Sequence, residues 1–391
     1  MRVVAVHHRL RGLSGHRYNE GLGLVAEADL RGWELDLLVS VHAPPAVLTG
    51  LGPRAWGVLH DPTFDLSRTF EERVESLTGQ LHEHVRNADR VLLTVATQCE
   101  TAALARWAGR RSRVPWVCVL FLSDRWNRAE ARTDEPAELA ATAVELGRLD
   151  TRVLRRFVLT ASTQGLASEL TSRLRQPVCA VPATLTYDGF PDVTAVPHPV
   201  PVLGLLGGTR PEKGSGLQVG LVTTLADLPV EIVVQAFDEG TDEVTFAQVL
   251  GLAGRPRVRL LEGTLGRADY VRDLAGLDLL LCPYERRNYV QRNSGLFCGA
   301  AAVGIPSVVP SGTWLAQQVD QGRAAGVVYD GVTATDVAAA VERALEMLPA
   351  LRVAASEKVS LWRQGQSLGP SSTSWTPSSL LGSFRGCGPG S

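Results

Sequence analysis

Two basic side chains, Arg210 and Lys213, stand in a short turn between an apolar run and an amphipathic segment. A guanidinium and an ammonium this close together can hold the oxygens of a phosphate group. The chain has 39 lysine and arginine residues, and among them only Lys213 and Lys358 are lysines. A compact ammonium at position 213 therefore indicates a contact that a planar guanidinium would not replace. An ordinary solvated basic turn is the alternative, and spacing alone leaves both interpretations open.

A predicted strand and a predicted helix place this turn. Residues 202–206 form a continuous apolar run, which is typical of a strand buried on both faces of a parallel sheet. Gly207 and Gly208 permit a tight turn and a close approach to a ligand, and a helix is predicted to start near Ser215. Open α/β sheets bind ligands at the carboxyl ends of their strands, where the two basic residues would lie.

A second polar stretch follows another predicted strand, which spans residues 277–282. A helix of small residues is predicted to start at Ser294 and Gly295, and its first N–H groups can face an anion. A hydrogen-bonding loop beside such a helix start suits a sugar diphosphate. With Gly208 and the two basic residues, we expect this stretch to bind such a ligand through Glu285, Tyr289, Gln291, Arg292, Ser294 and Gly295.

Strand-like and helix-like segments alternate in both halves of the chain, which predicts a parallel sheet with helices on both faces in each half. A proline-rich stretch without a periodic apolar face separates the halves. We therefore predict an α/β protein with two Rossmann-like domains facing each other across a cleft. The predicted parts are an N-terminal domain (1–183), a linker (184–200), a C-terminal domain (201–366) and a Ser/Gly/Pro-rich tail (367–391) that we expect to be disordered.

The first half offers weaker candidates. Gly15 and His16 lie where the first strand hands over to the first helix, and a helix start there either binds an anion or hydroxyl or is an ordinary cap. His60 ends a short predicted strand. Asp61 followed by Pro62 is typical of a helix start with aspartate as N-cap. Gly15, His16 and His60 are therefore candidate ligand contacts in this half.

Composition excludes several classes of protein. The chain has 391 residues, of which 45% are hydrophobic and 20% charged, and its net charge of −2 gives no strong field for nucleic acid. It contains no long apolar window, no Cys-x-x-Cys, no Asp-x-Asp and no histidine cluster with metal-ligand spacing. We expect a cytoplasmic protein without a transmembrane segment, metal, cofactor or nucleic-acid partner, and peripheral contact with a membrane stays open.

The sequence resembles the GT-B glycosyltransferases of the "group 1", retaining, family-4-like kind. Two patterns carry the resemblance: Arg-x-x-Lys-Gly, ending at Gly214, and SGLFCGAAAVGIPSVV, with Gly304 and Pro306. The resemblance implies transfer of a sugar from a nucleotide-diphosphate sugar to an acceptor hydroxyl with retention of configuration. It also implies that the two polar stretches form the donor site, in which Arg210 and Lys213 hold the diphosphate and stabilise its developing charge. Because the sequence has no Asp-x-Asp, a metal that bridges the diphosphate is not expected.

On the same resemblance, we expect the acceptor on the N-terminal domain, near Gly15, His16 and His60. Its identity is left open among a glycan, a lipid-linked sugar and a small molecule.

The two glutamates of that family fall at Gln291 and Gly299 in this sequence, so both carboxylates are replaced. This leaves an alternative, a catalytically degenerate homologue that binds a nucleotide-sugar or supports a partner transferase. A GT-B epimerase would use the same cleft, but no acid and base pair stands out for it. A dehydrogenase is disfavoured, because neither half has a Gly-x-Gly-x-x-Gly after its first strand.

Overall fold

The computed structural model describes the chain except for residues 11, 14–15, 64, 66, 122–134, 182–192, 194, 239–240 and 366–391. The described residues fall into two compact units, one within residues 1–188 (unit 1) and one within residues 189–367 (unit 2). The predicted linker lies mostly outside the described residues, and the predicted tail lies entirely outside them.

Unit 1 contains a seven-stranded parallel sheet in the order β3-β2-β1-β4-β5-β6-β7. Its strands are β1 (Arg2–His7), β2 (Glu34–Ser40), β3 (Ala55–Leu59), β4 (Arg90–Ala96), β5 (Trp116–Phe121), β6 (Phe157–Ala161) and β7 (Val178–Ala180). Its helices are α1 (His16–Arg31), α2 (Pro45–Leu51), α3 (Phe70–His84), α4 (Gln98–Gly109), α5 (Glu135–Gly147), α6 (Thr151–Leu154) and α7 (Gln164–Leu174).

Both faces of this sheet are buried. Val4 and Val6 of β1 pack in one apolar cluster with α3, α4 and α7, whereas Val3 and Ala5 pack in another with α1 and α2. Successive side chains of a strand point to opposite faces, so a strand covered on both sides must be apolar throughout. The unbroken apolar runs in the sequence have this cause.

Unit 2 contains a six-stranded parallel sheet in the order β10-β9-β8-β11-β12-β13. Its strands are β8 (Val202–Leu205), β9 (Glu231–Ala236), β10 (Val258–Glu262), β11 (Leu279–Leu281), β12 (Ser307–Pro310) and β13 (Gly326–Tyr329). Its helices are α8 (Ser215–Thr224), α9 (Glu243–Leu250), α10 (Arg267–Ala275), α11 (Arg286–Tyr289), α12 (Gly295–Val303), α13 (Trp314–Asp320), α14 (Ala334–Glu346) and α15 (Leu348–Gly365).

The predicted α/β class is confirmed, with a parallel sheet in each half. The predicted helix start at Asp61 and Pro62 is wrong, because α3 begins at Phe70. Thr69 caps that helix through a capping box with Glu72, which satisfies the first backbone N–H groups. The carboxylate of Asp61 instead accepts the N–H of Thr63 in a local turn at 3.0 Å.

Each sheet reverses its strand order at one place, between β1 and β4 in unit 1 and between β8 and β11 in unit 2. Ligands of open α/β sheets bind in the crevice outside the carboxyl ends of the strands at such a point. The two polar stretches singled out in the C-terminal half follow β8 and β11. The strand order of unit 2 therefore makes them neighbours.

Gly214 allows the loops after β8 and β11 to touch. Its φ of +78° is left-handed, and a Cβ added there would overlap the carbonyl oxygen of Pro283. Gly216, the second residue of α8, is exposed, and a Cβ added there would meet nothing within 4 Å. Substitution of Gly216 is therefore a control for substitution of Gly214.

We predict that Gly214→Ala lowers the free energy of unfolding by more than about 2 kcal/mol, from left-handed strain plus the overlap with Pro283. Gly216→Ala should be neutral or stabilise by up to about 1 kcal/mol, because alanine is the better helix former. Thermal and urea unfolding measure both variants. Equal stability of the two would contradict the close approach described here.

Candidate functional site

The loops after β8 and β11 form one polar surface at the carboxyl edge of unit 2. Their backbones are joined where the N–H of Glu285 donates to the carbonyl of Glu212 at 3.0 Å. Gly214 packs on Pro283 beside this bond. The structure thus brings the predicted donor residues of both stretches to one place.

The side chain of Lys213 lies against the backbone of Gly207. A Cβ added to Gly207, whose φ is +98°, would lie 3.0 Å from the Lys213 Nζ, so the ammonium occupies the face that a side chain would fill. Cys282 lies close by. Burial raises the pKa of the Cys282 thiol to about 12, which the hydrogen bond with Tyr284 and the nearby Lys213 only partly offset. The thiol is therefore neutral at pH 7.

Arg210 is paired within its own loop. Its Nη1 lies 3.5 Å from Oε1 of Glu212, a carboxylate that is only 6% exposed. Both charges act on Tyr289 of the second loop. Burial raises the pKa of Tyr289 to about 12, with Arg292 and Arg210 opposing and Glu212 adding to the shift. The guanidinium is accordingly partly neutralised, whereas Tyr289 stays a neutral phenol.

Two stacked tyrosines support the second loop. The rings of Tyr284 and Tyr289 lie 4.5 Å apart with an interplanar angle of 28°, and the guanidinium of Arg292 lies 5.5 Å from the Tyr289 ring. The Tyr284 hydroxyl is 3.3 Å from Oγ of Ser294. The same Ser294 oxygen accepts the N–H of Phe297 and caps α12. This packing fixes the start of α12 relative to the loop.

The remaining predicted donor residues differ in their surroundings. The carboxylate of Glu285 accepts hydrogen bonds from Arg287 at 2.9 Å and from Asn288 at 2.8 Å, so it is engaged with its own short helix. Gln291 is half-buried in the loop before α12. Gly299 is buried within α12, and a glycine there supplies no side chain to a ligand. Gly208 is buried beside Thr209, and Gly295 is the first residue of α12.

The predicted acceptor residues lie in unit 1, and only His60 is fully described. His60 is exposed after β3, where its ring meets that of His42 edge-on at 6.4 Å between ring centroids. The backbone N–H of His60 donates to the side-chain oxygen of Gln80 at 2.8 Å. Gly15 lies outside the described residues, as does the side chain of His16. Their role at an acceptor site stays a prediction.

Unit 1 has a buried charged cluster that the sequence did not single out. His8 and Arg9 follow β1, Asp61 follows β3, and Glu100 lies in the first turn of α4, which follows β4. Oε1 of Glu100 lies 2.6 Å from Nε2 of His8 and accepts from Nη2 of Arg9 at 2.9 Å. Asp61 lies 3.5 Å from His8 and 3.6 Å from Arg9. In the sequence, the one signal for this cluster was that its polar residues come shortly after strands. His8 and Arg9 follow β1 and Glu100 follows β4, the two strands between which the strand order reverses.

Burial by itself would raise the pKa of Glu100, but Arg9, His8 and the hydroxyl of Thr97 outweigh it and lower that pKa to about 2. The carboxylate is therefore ionised in the folded protein far below the pH at which it protonates in the unfolded chain. Its contribution to stability is complete above about pH 4.5 and is lost as the pH falls toward 2.

Within the described residues, no helix is long and apolar enough to cross a membrane. The same residues contain no group of three or more histidine, cysteine, aspartate or glutamate side chains that could hold a metal ion.

We predict that Glu100→Gln destabilises unit 1 by about 3–5 kcal/mol at pH 7, because Arg9 and His8 stay buried beside an uncharged amide. The difference from wild type should shrink below pH 4.5 as the native carboxylate loses its advantage. Urea unfolding of both proteins at pH 7, 5 and 3 measures this difference. A pH-independent difference would contradict the ionised pair.

Glu71→Gln is the control. The Glu71 side chain is 71% exposed and pairs with Arg106, so its loss should lower the free energy of unfolding by about 1 kcal/mol or less.

No protein-family model matches the chain, and no curated protein matches it. Solved structures do. HepE of Anabaena in complex with UDP is 15% identical, with a TM-score of 0.65 over 99% of each chain. Sucrose-phosphate synthase of Thermosynechococcus elongatus is 14% identical, with a TM-score of 0.63 over 99% of this chain and 100% of that one.

The catalytic domain of starch synthase IV from Arabidopsis thaliana, bound to ADP and acarbose, is 10% identical with a TM-score of 0.62, over 98% of this chain and 99% of that one. Identities this low support a conclusion on fold alone. The two parallel-sheet α/β units match those of GT-B glycosyltransferase structures. The chain therefore has the GT-B fold.

Proposed function

We propose that this protein is a glycosyltransferase that moves a sugar from a nucleotide-diphosphate sugar to an acceptor hydroxyl. The observation that carries the proposal is the meeting of Lys213, Arg210 and the capped start of α12 at the strand-order reversal of unit 2. Proteins of the same fold support it: HepE is known in complexes with UDP and with UDP-glucose, and starch synthase IV with ADP.

In the proposed reaction, Lys213 and Arg210 bind the diphosphate. As the glycosidic bond breaks, negative charge grows on the departing diphosphate while the sugar becomes oxocarbenium-like. The ammonium, the guanidinium and the first N–H groups of α12 stabilise that charge. Removal of one preorganised donor of this kind costs about 3–4 kcal/mol in the transition state. These positive groups take the place of a bridging metal.

Recognition of the donor sugar and ribose differs from the two-glutamate pattern. The amide of Gln291 bonds a sugar hydroxyl in this proposal, whereas Gly299 offers nothing to the ribose. Retention of anomeric configuration is part of the proposal on the group 1 resemblance alone. Cytoplasmic location and metal independence stay predictions.

The buried Gly299 also favours a second candidate, a nucleotide-sugar binder without turnover. Both candidates need the same diphosphate site. Release of the nucleotide from its sugar donor, measured with and without candidate acceptors, separates them, since a binder would leave the donor intact.

We predict that one of UDP, GDP and ADP binds the wild type and that Lys213→Ala weakens its binding tenfold or more, about 1.4 kcal/mol. Isothermal titration measures this. Lys358→Ala, on α15, removes the same charge from the other lysine and should leave the affinity unchanged. If no nucleotide binds the folded wild type, or if both variants lose affinity equally, the diphosphate site is wrong.

Glu212→Gln should strengthen nucleoside-diphosphate binding several-fold. The change removes a negative charge 3.5 Å from Arg210, and a charge pair near a protein surface is worth on the order of 1 kcal/mol or more. The backbone bond from Glu285 to the residue 212 carbonyl is kept. Titration at two salt concentrations tests this, with a larger gain expected at low salt. Weaker binding by the variant would mean that Glu212 is needed to orient Arg210.

A further inference from the structure

Gln235 lies at the carboxyl end of β9, the strand between β8 and β10, and is 3% exposed. Its side-chain oxygen accepts the N–H of Gly207 at 2.9 Å, in the loop after β8. Its side-chain nitrogen donates to the carbonyl of Gly263 at 3.1 Å, in the loop after β10. One buried amide thus ties together the loops that follow both neighbouring strands.

The two partners fix the orientation of this amide. A backbone N–H can only donate and a carbonyl can only accept, so the oxygen must face Gly207 and the nitrogen must face Gly263. Both glycines have left-handed backbones, with φ of +98° and +79°. The bond to Gln235 satisfies the N–H of Gly207 and holds its peptide plane in that conformation.

The conformation of Gly207 decides where Lys213 lies. The Lys213 Nζ occupies the side of the Gly207 α-carbon on which a Cβ would stand, 3.0 Å from the position of that Cβ. Rotation of the peptide at Gly207 would therefore move the surface on which the ammonium rests. Among the described residues of this loop, Gly207 is the one whose backbone N–H donates to a side chain of β9. The N–H of Thr209 donates instead to the backbone carbonyl of Phe237.

We propose that Gln235 is a positioning residue for the nucleoside-diphosphate site, acting through Gly207 on Lys213. This inference rests on the proposed function in that Lys213 holds the diphosphate. Gln235 itself does not contact the ligand. Its effect is to keep the ammonium where the phosphate oxygens arrive, so that binding does not have to order the loop first.

A merely structural Gln235 would support β9 without affecting Lys213. NMR of labelled lysine distinguishes the two roles. Protein grown with lysine that carries carbon-13 at Cε gives signals from Lys213 and Lys358 alone, because the chain has no other lysine. The variants are Gln235→Met, which has similar length but no amide, and Gln235→Asn, whose shorter side chain cannot span both partners. Gln218→Met is the control, since Gln218 on α8 is also 3% exposed.

We expect both Gln235 variants to shift the Lys213 signal and leave the Lys358 signal in place, whereas Gln218→Met leaves both unchanged. Gly207→Ala should shift the Lys213 signal as well. This measurement needs no nucleotide, and the second Gln235 variant serves if the first does not fold. An unchanged Lys213 signal in a folded Gln235 variant overturns the proposal.

A double-mutant cycle tests the consequence for binding. Gln235→Met should weaken nucleoside-diphosphate binding by about tenfold in the wild type and by less than about twofold in Lys213→Ala, because the two residues act through one contact. Independent, additive losses overturn the proposal. If wild type binds no nucleotide, the proposed function fails, while the lysine spectra still decide whether Gln235 positions Lys213.

Discussion

The contact between the backbone of Gly214 and the carbonyl of Pro283 is the constraint on which the rest of the site depends. It exists because position 214 has no side chain and a left-handed φ, so two loops that follow neighbouring strands can touch. Their closeness follows in turn from the strand order of unit 2, which places β8 beside β11. Any bulk at this contact would separate the basic loop from the tyrosines and from the start of α12.

The site combines positive side chains with neutral buried ones. Arg210 is offset by the buried carboxylate of Glu212, and the phenol of Tyr289 and the thiol of Cys282 stay neutral because burial raises the pKa of each to about 12. Lys213 lies against the backbone of Gly207. An incoming diphosphate would therefore meet the positive groups of Lys213, Arg210 and Arg292 and the start of α12, beside the neutral rings of two stacked tyrosines.

The sequence alone predicted the parallel sheets and the two loops, because these depend on local apolar periodicity and on the rarity of lysine. One failure was local: Asp61 was assigned to a helix cap, but the capping box forms at Thr69. The other failures arose where the determinants are far apart along the chain. The His8, Arg9 and Glu100 cluster depends on β1 pairing with β4. Gln235 was invisible because each of its two partners lies 28 residues away, on opposite sides along the chain.

The most direct test of the account is a titration of UDP, GDP and ADP into protein whose two lysines carry carbon-13 at Cε. The account predicts that one nucleotide moves the Lys213 signal saturably while the Lys358 signal stays fixed. It also predicts a larger displacement with the diphosphate than with the matching nucleoside, since the phosphates make the contact. A Lys213 signal that no nucleotide moves, or two lysine signals that move together, would contradict a diphosphate site at the junction of the two loops.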